Sequence, residues 1–313
     1  MTDDPLDRLA SEEDWSQKAR SVEDELAKQR RRNFMRRPRG PRPRGPRTRG
    51  PRTGGPRMRA PAISMIFIGL VVTTLVSGWL LWAEVTPAPV TTFVFVLSAW
   101  LITLCLHEFG HALMAHRRGD YTVADKGYLT LDIRRYGHPL LTFVLPVLFL
   151  IIGGLPLPGG AVMIERHRLR GRFGSAMVSA AGPAVNVVAA VLLLAIVSLF
   201  GPELIFALSE PHDEFWAALT FLAYLQVATA ILNLIPIPGI DGYGIIEPFL
   251  DPSTRNTGEK IKPYGLILLF LLLILPPVRT GFSWLTDSIV DGSGAPAFGT
   301  AYGYALFQFY RFW

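Results

Sequence analysis

Residues 63 to 82, ISMIFIGLVVTTLVSGWLLW, carry no ionisable side chain. A helix of twenty residues is about 30 Å long, the thickness of the hydrocarbon core of a bilayer. Such a run places the chain among membrane proteins, and long apolar blocks follow it. Half of the 313 residues are hydrophobic and only 18% are charged. The single cysteine, Cys105, excludes an internal disulfide and reads as a small buried apolar residue.

Charge then sets the orientation. The net charge is +6, but residues 30 to 59 alone hold 13 arginines and no acid, so the rest of the chain is net negative. Residues 1 to 29 are acidic and polar, compatible with a short exposed helix and with no core. Residues 39 to 58 repeat in fives as RGPRP, RGPRT, RGPRT and GGPRM. Proline removes backbone donors and glycine adds chain entropy, so residues 1 to 60 read as a disordered tail. Beside a membrane span, its basic tract is assigned to anionic lipid rather than to nucleic acid. The positive-inside rule puts this N-terminus in the cytoplasm and Trp79 and Trp82 at the far interface of a plasma-membrane protein. The apolar run starts too late for a signal peptide.

A second span, about residues 90 to 115, descends to Arg117 and Arg118. The next apolar block, residues 140 to 155, has arginines on both sides: Arg134 and Arg135 before, then Arg166, Arg168, Arg170 and Arg172. A single crossing would strand the last four outside. The segment is therefore expected to dip in and return along GGLPLPGGAVMI, residues 153 to 164, with a short kinked span as the alternative. Non-helical backbone at membrane depth needs cover from protein or a water-filled cavity, which makes this loop a cavity wall. Further spans are expected over residues 176 to 200, 215 to 240 and 264 to 275. The aromatic tail, residues 281 to 313, is either a sixth span or an interfacial segment. The fold class is thus an all-α polytopic membrane protein of five or six transmembrane helices, with a re-entrant loop and a membrane domain over residues 61 to 280.

The second span contains HEFGH, residues 107 to 111. Imidazole and carboxylate groups are costly at membrane depth and mark function there. On a helix, His107 and His111 share one face, a turn apart, and can hold one tetrahedral zinc ion with Glu108 beside them as general base. Zinc lowers the pKa of water from 15.7 to roughly 7. His107 lies about 26 Å down the span, near its cytoplasmic edge. Gly110 suits close helix packing.

The third ligand is not in the motif. Asp241 ends a descending span, on the same side as the histidines, among Pro236, Pro238, Gly239 and Gly242, which would unwind the helix end and let the carboxylate turn inward. Asp132 and Glu165 are weaker candidates. His116 reads as an interface histidine, and His138, His167 and His212 as loop residues. Asn233, eight residues before Asp241, is placed to hydrogen-bond an extended peptide backbone. Asn186 is a second candidate for that contact, with bridging between helices as its other reading.

HEFGH on a membrane helix, then AGPAVN, then NLIPIPGIDG, resembles the site-2 protease family of intramembrane zinc metalloproteases. The resemblance covers roughly residues 95 to 250. It implies His107, His111 and Asp241 as ligands of one zinc per chain, Glu108 as catalytic base and Asn233 as a substrate contact. The GGLPLPGGAV stretch is similar to the family's re-entrant β element, which pairs with an unwound substrate strand, and this implies Gly159 and Gly160 as substrate-contact positions. No PDZ-like domain interrupts the chain.

The function implied is an endopeptidase that cuts transmembrane segments near the cytoplasmic face. A catalytically inactive membrane scaffold of the same fold is the alternative. An ion transporter would need polar residues spread across several spans, whereas here they cluster at one depth.

Overall fold

The computed structural model describes residues 5–35, 63–136, 144–153, 156, 162–203, 205 and 211–308. Contacts divide the chain into two units, Met1–Gly55 and Pro56–Trp313. The first holds one helix, α1 (Pro5–Met35), longer than the short helix expected there. Its side chains over residues 17–32 are all exposed, as suits a segment with no apolar face. The arginine repeat at 39 to 58 lies outside the described residues.

The second unit is built on four helices long and apolar enough to cross a membrane: α2 (Met65–Trp82), α3 (Ala88–Arg118), α6 (Gly171–Phe200) and α7 (Asp213–Leu234). Three of them have a physical start or stop in the sequence. The Ser64 hydroxyl accepts the Ile66 N–H at the head of α2. Pro87 precedes α3, which ends on His116, Arg117 and Arg118 at its negative dipole end and closes on Gly119 at φ +116°. Asp213 and Glu214 open α7.

The order of burial gives the arrangement. In α7, 78% of the apolar window is buried, against 17% in α2, so α7 is central and α2 peripheral. Trp100, Cys105 and Ala112 of α3 pack with Phe221 and Leu225 of α7 in the core. Large apolar residues face outward, among them Leu75, Trp79, Val188, Leu192 and Leu199. Buried polar residues such as Thr92, Ser98, Asn186 and Gln226 lie within this core, and polar groups inside an apolar exterior are the pattern of a protein solvated by lipid.

Short elements complete the unit. After α3 the chain forms α4 (Thr122–Asp125) and two 3-10 turns, and the Asp120 carboxylate accepts the backbone N–H groups of Thr122 and Glu165. That bond ties residues 162 to 170 to the end of α3. Helix α5 (Leu145–Gly153) carries Pro146, and Val144 before it is already in a helical π turn. Its nine residues are about 14 Å long, and residues 137–143, where the rest of the expected apolar segment begins, lie outside the described residues. Most of the expected re-entrant β element lies outside the described residues, and no strand occurs among those described.

The C-terminal third departs from expectation. After α8 (Asp241–Ile246) and α9 (Pro252–Ile261), helix α10 (Gly265–Ile274) is only ten residues long. Leu275 caps it, and α11 (Pro276–Gly292) leaves the helical run Pro252–Ile274, which α10 completes, at a 90° bend. The expected fifth span is therefore present only if that bent pair counts as one span. The aromatic tail forms α12 (Gly299–Phe307), nine residues and about 14 Å, so it is not a sixth span. It docks on α7 through Gly299 and Gly303, four residues apart. A Cβ on Gly303 would overlap the Ala217 carbonyl oxygen and lie 2.7 Å from Phe221 Cβ. Gly303→Ala is expected to lever α12 off α7 at a cost of about 1–3 kcal/mol, read as a lower thermal midpoint in detergent.

Candidate metal centre

The site forms where α3, α6 and the end of α7 meet. Helix α3 puts His107 and His111 one turn apart, their ring centroids separated by 4.7 Å. Helix α6 crosses close against this turn: a Cβ on Gly110 would stand 3.0 Å from the Ala181 carbonyl oxygen. Pro183 lies inside α6 and leaves the Ser179 carbonyl without its helical donor. At that opened turn, the Val178 carbonyl accepts from His111 Nδ1 at 2.7 Å. His107 Nδ1 donates to Asn186 Oδ1 at 2.5 Å. With both Nδ1 atoms engaged as donors, both Nε2 atoms keep a lone pair for the site.

The third group arrives as the sequence pattern suggested. Helix α7 stops at Leu234, and Pro236 and Pro238 cannot continue its hydrogen bonding. Gly239, at φ +99°, reverses the chain. Ile240 is extended, and Asp241 opens α8 with its carboxylate turned inward. Asp241 Oδ2 is 3.2 Å from His107 Nε2 and 3.2 Å from His111 Nε2, while the two Nε2 atoms are 3.1 Å apart.

This near-equilateral triangle fits a metal. Zinc bonds of about 2.0–2.1 Å give a tetrahedral ligand set edges of about 3.3–3.4 Å. The observed edges are within a few tenths of an ångström of that. Two imidazoles and one carboxylate are a donor set zinc accepts with its fourth position open.

Glu108 stands beside the triangle, 3% exposed, with the Val162 backbone N–H directed at its carboxylate. Its Oε2 is buried and has no protein partner among the described residues. A buried acceptor left free next to a ligand triad is a functional group held ready. The pocket in front of it has a volume of about 110 Å³. Glu108, Val178, Asn233 and Asp241 line it together with the two histidines.

Of the residues read as substrate contacts, Asn233 lines the pocket at 4% exposure. Asn186 does not line it: at 2% exposure its amide is spent on His107 and on Gln226 Oε1, 3.0 Å away. It bridges helices, the other of its two readings. Gly159 and Gly160 lie outside the described residues, as does His138. The remaining histidines are elsewhere: His116 meets the Tyr121 ring edge-on, His167 sits by Glu165, and His212 stacks on Trp82. Asp132 is hydrogen-bonded to the Arg134 guanidinium, which holds its carboxyl below the usual range. Glu165 is tied to Arg168 and Lys126.

Two contributors escaped sequence reasoning. Gln226 is fully buried behind Asn186 and looked like any polar residue in a span. Gly182 packs flat against the imidazoles, and a Cβ there would overlap His111 Nε2 and reach within 2.5 Å of His107 Nε2. Its position inside AGPAVN was the available signal.

Comparison with known proteins agrees with this geometry. The chain is 41% identical over 254 residues to "Putative zinc metalloprotease Rip2" of Mycolicibacterium smegmatis, an alignment that covers 80% of this chain and 95% of that one. It is 42% identical over 255 residues to the protein of the same name from Mycobacterium tuberculosis, with the same coverage. "Putative zinc metalloprotease YwhC" of Bacillus subtilis is 30% identical over 202 residues, 63% of this chain and 87% of its own. No protein-family model matches, and no solved structure matches at a significant level.

Proposed function

Because the chain belongs to the site-2 protease family of zinc metalloproteases, we propose that it is an intramembrane endopeptidase, cutting transmembrane segments of other membrane proteins near the cytoplasmic face. The observation that carries this reading is the triangle of His107, His111 and Asp241 at 3.1–3.2 Å, in a buried pocket on a membrane helix. His107 is the twentieth residue of α3, about 29 Å from its start, so water would reach it from the end that carries Arg117 and Arg118. That end is assigned to the cytoplasm of a plasma-membrane protein, together with the N-terminus, whose basic tract would lie on anionic lipid.

In this reading His107, His111 and Asp241 hold one zinc ion per chain. Zinc, when bound, supplies Lewis-acid polarisation of the scissile carbonyl and a more acidic water. Glu108 Oε2 takes the proton of the attacking water and later returns it to the leaving amine. Asn233 offers its amide to the substrate backbone. A peptide bond within a helix is shielded by its hydrogen bonds, so in this reading the substrate must be extended before attack.

Detergent-purified protein is expected to carry about one zinc per chain and to cut a reporter transmembrane substrate, with chelation abolishing cleavage and zinc restoring it. A protein without zinc or cleavage would instead be the inactive scaffold. Asp241→Ala should lower the zinc content at least about tenfold, measured by elemental analysis. Full zinc in that variant would place the third ligand elsewhere.

A further inference from the structure

We infer that Gln226 is a positioning residue of the metal site, fixing through Asn186 which nitrogen of His107 carries the proton. This rests on the zinc reading above and deepens it.

The chain of bonds runs in one direction from a backbone carbonyl. The Thr103 hydroxyl donates to the Trp100 carbonyl, which can only accept, at 2.8 Å. With its proton committed, Thr103 Oγ1 can only accept from Gln226, and Gln226 Nε2 lies 2.9 Å away. That turns Gln226 Oε1 toward Asn186, whose Nδ2 donates to it at 3.0 Å. Asn186 is left with Oδ1 toward His107, and His107 Nδ1 must be the protonated nitrogen at 2.5 Å. Nε2 is then the bare nitrogen, aimed at His111 and Asp241.

The circuit leaves α3 at Thr103, crosses α7 at Gln226 and α6 at Asn186, and returns to α3 at His107. Gln226 is 0% exposed, Asn186 2% and His107 5%, so no bulk water can replace the links among these three, while Thr103 is half-buried. Without Gln226, the Asn186 amide is free to turn over and present Nδ2 to the imidazole. A donor there selects the tautomer with Nε2 protonated, which cannot bind a metal. Gln226 touches neither the pocket nor the triangle; it acts only through Asn186.

The test is zinc affinity of the full chain in detergent, by competition with a chelator, with thermal melting to confirm the fold. Gln226→Leu should weaken zinc binding about 10- to 100-fold. Asn186→Asp added to Gln226→Leu should recover most of the loss, because either carboxylate oxygen accepts from Nδ1. A role in packing alone predicts no such rescue. Thr103→Val removes the acceptor for Gln226 at similar volume and should shift affinity the same way, with the same rescue, so it carries the test if Gln226→Leu does not fold. Wild-type affinity in both single variants, or a folded double variant that stays weak, overturns the inference. A wild-type chain that binds no zinc overturns the zinc reading itself, and this inference with it.

Discussion

Gly182→Ala is expected to strip the site of zinc while leaving the helices folded. Alanine is the better helix former by about 1 kcal/mol, so the substitution should favour α6 as a helix. The conflict is entirely local. The new methyl would overlap His111 Nε2 and come within 2.5 Å of His107 Nε2. An ion bound to both nitrogens must lie about 2.0–2.1 Å from each, so methyl and ion compete for the same space. A retreat of α6 would open its close packing on α3 at Gly110 and the Ala181 carbonyl. The imidazoles are held as well, each by its Nδ1 bond to α6. The expected result is a fall in zinc content of at least about tenfold, loss of cleavage and an unchanged helical circular dichroism spectrum. Gly69→Ala is the control, since a Cβ there meets nothing within 4 Å. A Gly182→Ala protein with full zinc would mean that the ion sits on the other side of the triangle from α6.

The part of the site that was legible before the structure was the part fixed by short spacing or by topology. His107 and His111 share a face whatever surrounds the helix, because i and i+4 always do. Asp241 was legible because a descending span must end on the side where the histidines lie, and Pro236, Pro238 and Gly239 announce the turn. Rotation about a helix axis is harder to read. Around Asn186 in α6 small and apolar residues occupy every side, so the hydrophobic pattern does not report which way it points, and its amide is hydrogen-bonded to His107. The same blindness hid Gly182 and Gln226.

The number of spans, expected as five or six, stands at four helices, or five if the bent pair is one span. Pro276 and Pro277 end the apolar run, but proline is also a good first-turn residue, and the two positions both stop α10 and start α11. The aromatic tail looked like membrane interface. Its decisive residues were Gly299 and Gly303, which let nine residues dock on α7 instead of crossing. The loop at 153 to 164, expected to supply a substrate-pairing edge, lies mostly outside the described residues.

Glu108→Gln is expected to separate metal binding from chemistry. The substitution keeps the volume of a side chain that is 3% exposed, so packing should not change. It also leaves the ligand triangle alone, because the three converging atoms belong to His107, His111 and Asp241. Zinc content should therefore match wild type. An amide oxygen, however, is a far weaker proton acceptor than a carboxylate, and a positioned general base contributes about 10²- to 10⁴-fold to rate. Cleavage of a reporter transmembrane substrate should fall by at least about 100-fold. The free Oε2 of Glu108 explains why no other residue would take over: no protein group is bonded to it, and no other carboxylate besides the ligand Asp241 lines the pocket among the described residues. His107→Ala is the contrasting variant, losing zinc and cleavage together. If Glu108→Gln lost zinc as His107→Ala does, Glu108 would be a ligand and the base would have to be sought elsewhere. If the purified variant kept cutting at the wild-type rate, the protease reading of this site would fail.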